Sequence, residues 1–568
     1  MAESTDRNKP WQSVYNDEIP HELPIPAKNT IEQFRETVER LPNAPAVYYF
    51  DTTITFKEID ELSNSLAFYL HRIGVEKGDR IAIYMQNIPQ FWIAQLAGWK
   101  AGAIVVPLNV MFKAEELIYH LNDAGATVLI CMETLYETYV KSILPSVSVD
   151  YVITTCELDL LNQPHMPDLL AISKKIKNLG TPDLIEICKR FNYGGVINIP
   201  VETEEIAMLV YTSGTIGQPK GAMISHGNIA FNAEVYKRWI QIDSEDVIIG
   251  GSPLFHITGQ IAHLALSALA GIPIILSCRF EAGEILRLIE KWKGTFSVMP
   301  ITTYMSLLYH PDLDRRDTAS MAKIYSGGAS IPEAAVQAFQ KGTGAYIHGV
   351  YGLTETTSPS HAVPYRTNAR YNPEAGVLSV GLPVPNCISK VVNPTTGDEL
   401  EPGEIGEIVI KGPMVVKGYW NKPEDSKKAI KNGWLYTGDV GLMDEQGWFY
   451  VIDRMKDAII ASGFKVWPRE VEEVLYKHPA VKEAAVVGVA DEYRGETVKA
   501  FVSLNADVSI EDLIGFCRAR LASFKAPRQI VVIDEIPKTA TGKFLRRLLR
   551  ENEISRLQAI GTAEEFGE

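Results

Sequence analysis

Beyond Thr55 the apolar residues Ile59, Leu62, Leu66, Leu70 and Ile73 recur at the spacing that gathers one face of a helix, and Gly74 ends the run. Thr55 and Glu58 stand at capping-box spacing and predict where that helix starts. The segment Arg80–Tyr84 that follows is strand-like. The same exchange recurs: residues 207–210 read as a strand before a glycine loop, 284–292 as a helix, and 296–299 and 323–326 as strands. A helix opened by Ser330 and Glu333 closes at Gly342, and 345–348 completes the series. Strands alternating with helices predict an α/β fold with a mostly parallel sheet and helices on its faces. The most apolar long stretch, 261–276, is interrupted by His263 and by Gly271-Ile272-Pro273. It falls short of the roughly 20 residues of a membrane span, and reads as a buried helix followed by a strand.

Two regions depart from this rhythm. Residues 160–205 carry Pro164, Pro167, a Lys-rich segment and a Gly194-Gly195 turn, and read as a surface insertion. After Asn372 the chain turns strand-rich and hairpin-like, punctuated by Gly403, Gly406, Gly412, Gly418, Gly433, Gly438 and Gly447. Past Asp453-Arg454 a new pattern begins, with a helix at 468–476, strands at 484–489 and 498–504, a helix at 509–521 and a strand at 530–533. The expected architecture is a large N-terminal domain (1–453) of two α/β lobes plus a β-rich subdomain (372–453), and a small α+β C-terminal domain (457–568).

Composition narrows the function. The 568 residues hold 55 Lys+Arg against 70 Asp+Glu, a net charge of −15. That balance excludes a general nucleic-acid binder, which needs a basic footprint. The cysteines, Cys131, Cys156, Cys188, Cys278, Cys387 and Cys517, form no CxxC pair and have no zinc-type histidine spacing, so neither a disulfide framework nor a structural zinc is expected. With no signal-like apolar stretch at the start, a cytoplasmic protein is expected.

The segment from Tyr211 to Gly221, YTSGTIGQPKG, follows an apolar strand. Gly214, Gly217 and Gly221 let backbone N–H groups approach a phosphate, the hydroxyls of Thr212, Ser213 and Thr215 add donors, and Lys220 adds positive charge. It is not a Walker loop, because Gln218 and Pro219 separate the second glycine from the lysine.

With this loop stand Pro253-Leu254-Phe255-His256, Ser326-Gly327-Gly328-Ala329-Ser330, Tyr351-Gly352-Leu353-Thr354-Glu355-Thr356 and Tyr436-Thr437-Gly438-Asp439. Then come Asp453-Arg454-Met455-Lys456-Asp457, Ser462-Gly463-Phe464-Lys465-Val466 and Pro537-Lys538-Thr539-Ala540-Thr541-Gly542-Lys543. In this order the blocks resemble the adenylate-forming superfamily of acyl-CoA synthetases, firefly luciferase and peptide-synthetase adenylation domains, from about Thr55 to Arg547.

The resemblance implies roles. Joining a carboxylate to the α-phosphate of ATP brings two anions together, so placed positive groups are the main lever; the resemblance gives this task to Lys543. Glu355 matches the glutamate that holds Mg2+ on the ATP phosphates, with Thr212 assisting. Asp439 and Arg454 match the residues that hold ribose. Gly327, Gly328 and Ala329 would let adenine and the acyl chain lie against the backbone, and Tyr351, with Gly352 beside it, would offer a ring face to adenine. Thr354 would meet the α-phosphate, and His256 would sit near the carboxylate or the thiol route. The acyl slot is expected beside Gly327 and around 349–354.

In the second half-reaction a thiol attacks the adenylate. The resemblance implies that the mobile C-terminal domain then rotates about a hinge at 454–456, centred on Lys456. Ser462 and Gly463 would join the face that meets the large domain, and Lys465 would contact the nucleotide. Arg518, Arg520, Lys525 and Arg528 form a basic patch that either receives coenzyme A phosphates or is a solvated face. Ile216 stands where the family usually has threonine, so one hydroxyl contact to phosphate is missing; Ile460 and Ser462 replace lysines of some aryl-acid enzymes.

The implied activity is AMP-forming acid–thiol ligation, using ATP, Mg2+ and coenzyme A on a carboxylic acid. Trp11 to Pro20 and Gly463 to Pro468 resemble bacterial fatty-acyl ligases, which favours a medium- or long-chain fatty acid. A stand-alone enzyme loading a carrier protein and a short-chain or aryl acid–CoA ligase stay open. So do peripheral membrane contact and a homodimer.

Overall fold

A computed structural model describes residues 9–16, 18–162, 166–191, 197, 199–212, 218–329, 331–461, 464–491, 495–539, 544–551 and 553. The helix Phe56–Arg72 begins as its capping box demands: the Thr55 side chain accepts from the Glu58 N–H, and the Glu58 carboxylate accepts from the Thr55 N–H at 2.7 Å. Its apolar stripe packs on helix Pro89–Lys100, a segment buried along its whole length.

Two large sheets carry the α/β body. The first runs Leu382–Pro383, Ser358–Ala362, Ile347–Leu353, Lys323–Ser326, Phe296–Met299, Ile248–Ile249, Ile274–Leu276, Pro45–Tyr49 and Thr52–Thr55. Its pairings are parallel from Ile347–Leu353 through Pro45–Tyr49 and antiparallel at the edges. The second runs Tyr151–Thr155, Ala126–Met132, Arg80–Tyr84, Ile104–Pro107, Ile206–Thr212 and Lys220–Ser225, parallel except for its last hairpin. The central strands are buried on both faces, as covered parallel sheets require.

An antiparallel sheet follows, built from Ile388–Val392, Gly406–Lys411, Ile430–Lys431, Trp434–Met443 and Phe449–Arg454. The last sheet holds Ile459–Ala461, Phe464–Val466, Val481–Asp491, Gly495–Leu504 and Gln529–Val532. Helices Pro468–Tyr476 and Ile510–Arg518 cover it through Val471, Leu475, Leu513 and Cys517. The fold class is the expected mixed α/β arrangement. All six cysteines are free and buried, and no helix among the described residues is long and apolar enough to cross a membrane.

Several local expectations need correction. The helix expected to end at Gly342 runs Glu333–Thr343, and Gly344 closes it at φ 81°. Gly342 serves packing instead, since a Cβ there would stand 2.4 Å from Leu308 Cδ1. Residues 160–205 are not all surface: helix Leu184–Arg190 drives Leu184, Ile185, Ile187 and Cys188 into the main core. The Gly194-Gly195 turn lies outside the described residues. The apolar stretch 261–276 opens with a π-helical segment, Gly259–Ala265, before the helix Leu266–Ala270 and the strand Ile274–Leu276.

Candidate active site

Open parallel sheets place ligands beyond the carboxyl ends of their strands, and most of the matched blocks lie there. Residues 253–256 follow strand Ile248–Ile249, and Gly327-Gly328-Ala329 follow Lys323–Ser326. Tyr351 and Gly352 end strand Ile347–Leu353, and Thr354 and Glu355 form the turn after it. In the second sheet Thr212 ends strand Ile206–Thr212 and pairs with Lys220 across a hairpin. Ser213, Gly214, Thr215, Ile216 and Gly217 lie outside the described residues. The feet of their loop are held: Tyr211 donates to Asp123 at 2.7 Å, and Tyr119 donates to the Pro219 carbonyl at 2.6 Å.

Two side-chain chains join the sheets at this point. Tyr351 donates its hydroxyl to Asp439 Oδ2 at 2.7 Å, while Arg454 Nε lies 2.8 Å from Asp439 Oδ1. Asp439 and Arg454 are direct partners across strands Trp434–Met443 and Phe449–Arg454. Burial first, and then the Asp439 charge, push the Tyr351 phenol well above its ordinary range; Asp439 likewise raises the Arg454 guanidinium. Tyr351 is therefore a neutral donor and Arg454 a fixed cation.

The second chain begins at Glu355, whose Oε1 accepts the Tyr419 hydroxyl at 2.7 Å. The Lys220 ammonium stands 5.4 Å from the centre of the Tyr419 ring and 2.5 Å from Asp425 Oδ1. Lys220 thus faces a carboxylate, and meeting a phosphate would mean exchanging that partner. Burial, and then Glu355, raise the Tyr419 phenol. Tyr419 and Asp425 escape sequence reasoning because their partners lie 64 and 205 positions away.

Glycine is required where the backbones close in. A Cβ on Gly327 would lie 2.5 Å from the Val350 carbonyl oxygen, and one on Gly352 only 1.7 Å from that of Ser358. Gly328 has φ 78°, in the left-handed region. Gly352→Ala is expected to lower the thermal midpoint, at a cost of about 1–3 kcal/mol from forced backbone movement; scanning calorimetry against the parent checks this.

His256 is half-buried, and its Nδ1 accepts from the Thr258 N–H at 3.3 Å. Its block is held by buried Asn87, which sequence reasoning missed. Asn87 donates to the carbonyls of Gly250 at 3.2 Å and Ser252 at 2.8 Å, and accepts from the Leu254 N–H at 2.8 Å. An isolated asparagine after a strand carries no signal that it will bind a second sheet.

A cavity of about 620 Å³ lies beside this block, with Pro253, Phe255, Thr302 and Met305 on one wall and Lys538 and Thr539 on another. A Cβ added at Gly327 would meet Val350, and the Ser379 carbonyl and Val363 stand near Gly349; the lining of the cavity includes Pro253 and Pro300.

Lys456 lies in the short turn Met455–Asp457, and Lys465 lies opposite Ile460 in a hairpin. Ser462, Gly463 and Lys543 are outside the described residues. In the basic patch, Lys525 pairs with Glu470 at 2.6 Å and the Arg520 guanidinium stacks 3.6 Å from the Phe516 ring centre, so both are engaged within the protein.

The donor set suits a nucleotide with its magnesium. No group of three or more His, Cys, Asp or Glu side chains that could hold a metal occurs among the described residues. A single carboxylate such as Glu355 matches magnesium, which keeps waters and takes its other oxygens from phosphates.

Known proteins resemble this chain along most of its length. A long-chain-fatty-acid–CoA ligase of Bacillus subtilis (strain 168) is 38% identical over 96% of this chain and 98% of that protein. One from Escherichia coli O6:H1 is 33% identical over the same shares. Among solved structures, the anthranilate CoA ligase AuaEII in complex with anthranoyl-AMP has a TM-score of 0.84 at 25% identity, covering 95% of this chain and 99% of that one. ATP-bound MatB from Rhodopseudomonas palustris has a TM-score of 0.80 at 28% identity, covering 92% and 99%. Residues 34–420 match the AMP-binding enzyme family and 470–543 its C-terminal domain, so the chain belongs to the AMP-binding enzymes.

Proposed function

We propose that this protein is an AMP-forming acid–CoA ligase: a carboxylic acid and ATP give acyl-adenylate and pyrophosphate, and coenzyme A then gives acyl-CoA and AMP. The observation that carries the reading is the meeting, at the strand ends, of Asp439 with Arg454 and Tyr351 and of Glu355 with Tyr419. Asp439 accepts the ribose hydroxyls, Arg454 donates to the same sugar, and Glu355 with Thr212 holds the magnesium of the incoming ATP. Lys543 neutralises the carboxylate and α-phosphate oxygens. Support for its reach comes from Thr539, four residues earlier, which lines the cavity beside Pro253 and Phe255. Residues 1–453 act as the body, 454–456 as the hinge and 457–568 as the moving domain.

The substrate is a medium- or long-chain fatty acid. The named relatives support it, as does the apolar wall formed by Phe255, Phe280 and Met305. Six buried free thiols support a reducing, cytoplasmic setting. The test is product analysis with coenzyme A across acids from acetate to oleate, with benzoate and coumarate included. AMP and pyrophosphate are expected in equal amounts, fastest with the long acids. Formation of ADP, or ATP binding with no acid-dependent pyrophosphate release, overturns the activity; a preference for benzoate overturns the substrate.

A further inference from the structure

Residues 250–256 form neither helix nor strand, yet they bring Gly251, Pro253 and Phe255 to the wall of the cavity. The buried backbone groups of such a turn need partners outside any ladder. Leu254, near its centre, is fully buried and is held at both of its own. Its N–H donates to Asn87 Oδ1 at 2.8 Å, and its carbonyl accepts from Gln260 Nε2 at 2.5 Å. The Asn87 Nδ2 group also donates to the carbonyls of Gly250 at 3.2 Å and Ser252 at 2.8 Å.

Both amides stand on fixed backbone. Asn87 follows strand Arg80–Tyr84 of the second sheet, and its backbone exchanges two hydrogen bonds, at 2.9 and 3.1 Å, with that of Cys278 just beyond strand Ile274–Leu276 of the first. Gln260 is 1% exposed and belongs to the π-helical segment Gly259–Ala265. That segment packs closely on the turn, since a Cβ on Gly259 would lie 2.2 Å from the Pro253 carbonyl oxygen. On the nucleotide side, the pairs Asp439–Arg454 and Glu355–Tyr419 stand on other elements.

We propose that Asn87 and Gln260 are positioning residues for the carboxylic acid: together they clamp Leu254 and so set the Pro253 and Phe255 wall against which the acid lies. The inference rests on the reading above that the acid occupies this cavity. One amide holding one backbone group leaves the turn free to pivot; a second on the other side of the same residue removes that freedom. The contacts of Asn87 engage both of its Nδ2 hydrogens. The lining of the cavity includes Asn87 but not Gln260, so Gln260 acts on the acid through Leu254 alone. A wall displaced by an ångström is enough to cost about 10²-fold in rate.

The test compares Gln260→Met and Asn87→Asp with the parent and with Met305→Trp, which narrows the cavity directly. Asn87→Asp keeps the acceptor for the Leu254 N–H and puts an oxygen in place of the Nδ2 donor. The kcat/KM for oleate is read from pyrophosphate release, the Kd for ATP is measured without acid, and thermal midpoints are recorded. In both clamp variants kcat/KM for oleate is expected to fall about 10- to 100-fold, with the Kd for ATP within about twofold of the parent. An equal loss for acid and ATP, or no loss for the acid, overturns the proposal. Should one variant not fold, the other decides by the same split; if neither folds, the amides serve the fold alone and the proposal falls. If Met305→Trp leaves oleate kinetics unchanged, the placing of the acid in this cavity fails, and this inference with it. If Met305→Trp impairs oleate use while the clamp variants do not, only this inference fails.

Discussion

Lys543→Ala is expected to lower acid-dependent pyrophosphate release by about 10²- to 10³-fold, the scale on which placed donors to a developing charge act. Thioester formation from supplied acyl-adenylate should stay within a few-fold of the parent. The asymmetry follows from where charge must be cancelled. Adenylation presses a carboxylate onto an already anionic α-phosphate, whereas thiol attack begins from an adenylate in which that repulsion is gone. Arg454 and Lys220 do not substitute, because each already faces a carboxylate: Asp439 at 2.8 Å and Asp425 at 2.5 Å. A further cation is needed where the two substrates meet, and Thr539, four residues before Lys543, lines that cavity. Rapid-quench measurement of each half-reaction checks the split, and a similar loss in both would remove Lys543 from its role.

What could be read from the sequence was what local spacing encodes. The Thr55/Glu58 box produced a helix start because both partners lie within one turn. Gly327 and Gly352 stood out as glycines of the matched blocks, and the structure adds the carbonyl oxygens that close on them. Other features depended on distant partners. Gly342 looked like a helix stop and is a contact surface for Leu308; the apolar run Leu184, Ile185, Ile187 and Cys188, set among proline-, glycine- and lysine-bearing stretches read as surface, is a buried helix face. At the site, the resemblance put Asp439 and Arg454 on one sugar, and the structure pairs the two, but nothing local announces that Tyr351 will donate to Asp439 or that Tyr419 will bridge Glu355 and Lys220. The Val350 backbone that closes on Gly327 likewise comes from a neighbouring strand, which no local spacing announces.

Asp439→Asn is expected to raise the KM for ATP by about 10- to 100-fold while leaving most of the fold intact, and Asp439→Ala to raise it at least as far and also destabilise the protein. Asp439 is 3% exposed, and its two oxygens are already committed to Tyr351 and Arg454. Each carboxylate oxygen has a further acceptor site, which is what two vicinal ribose hydroxyls require. Asparagine keeps one such oxygen and surrenders the charge, and hydrogen bonds to a charged group contribute about 1.5–3 kcal/mol each. Alanine also strips Arg454 of its counter-ion. Because the Arg454 side chain is 38% exposed, water recovers part of that loss, so the stability cost is about 1–2 kcal/mol rather than that of a fully buried pair. ATP titrations paired with thermal unfolding separate the two effects. An asparagine variant whose KM stays within threefold of the parent would mean that the buried carboxylate only joins two sheets, with the ribose held elsewhere.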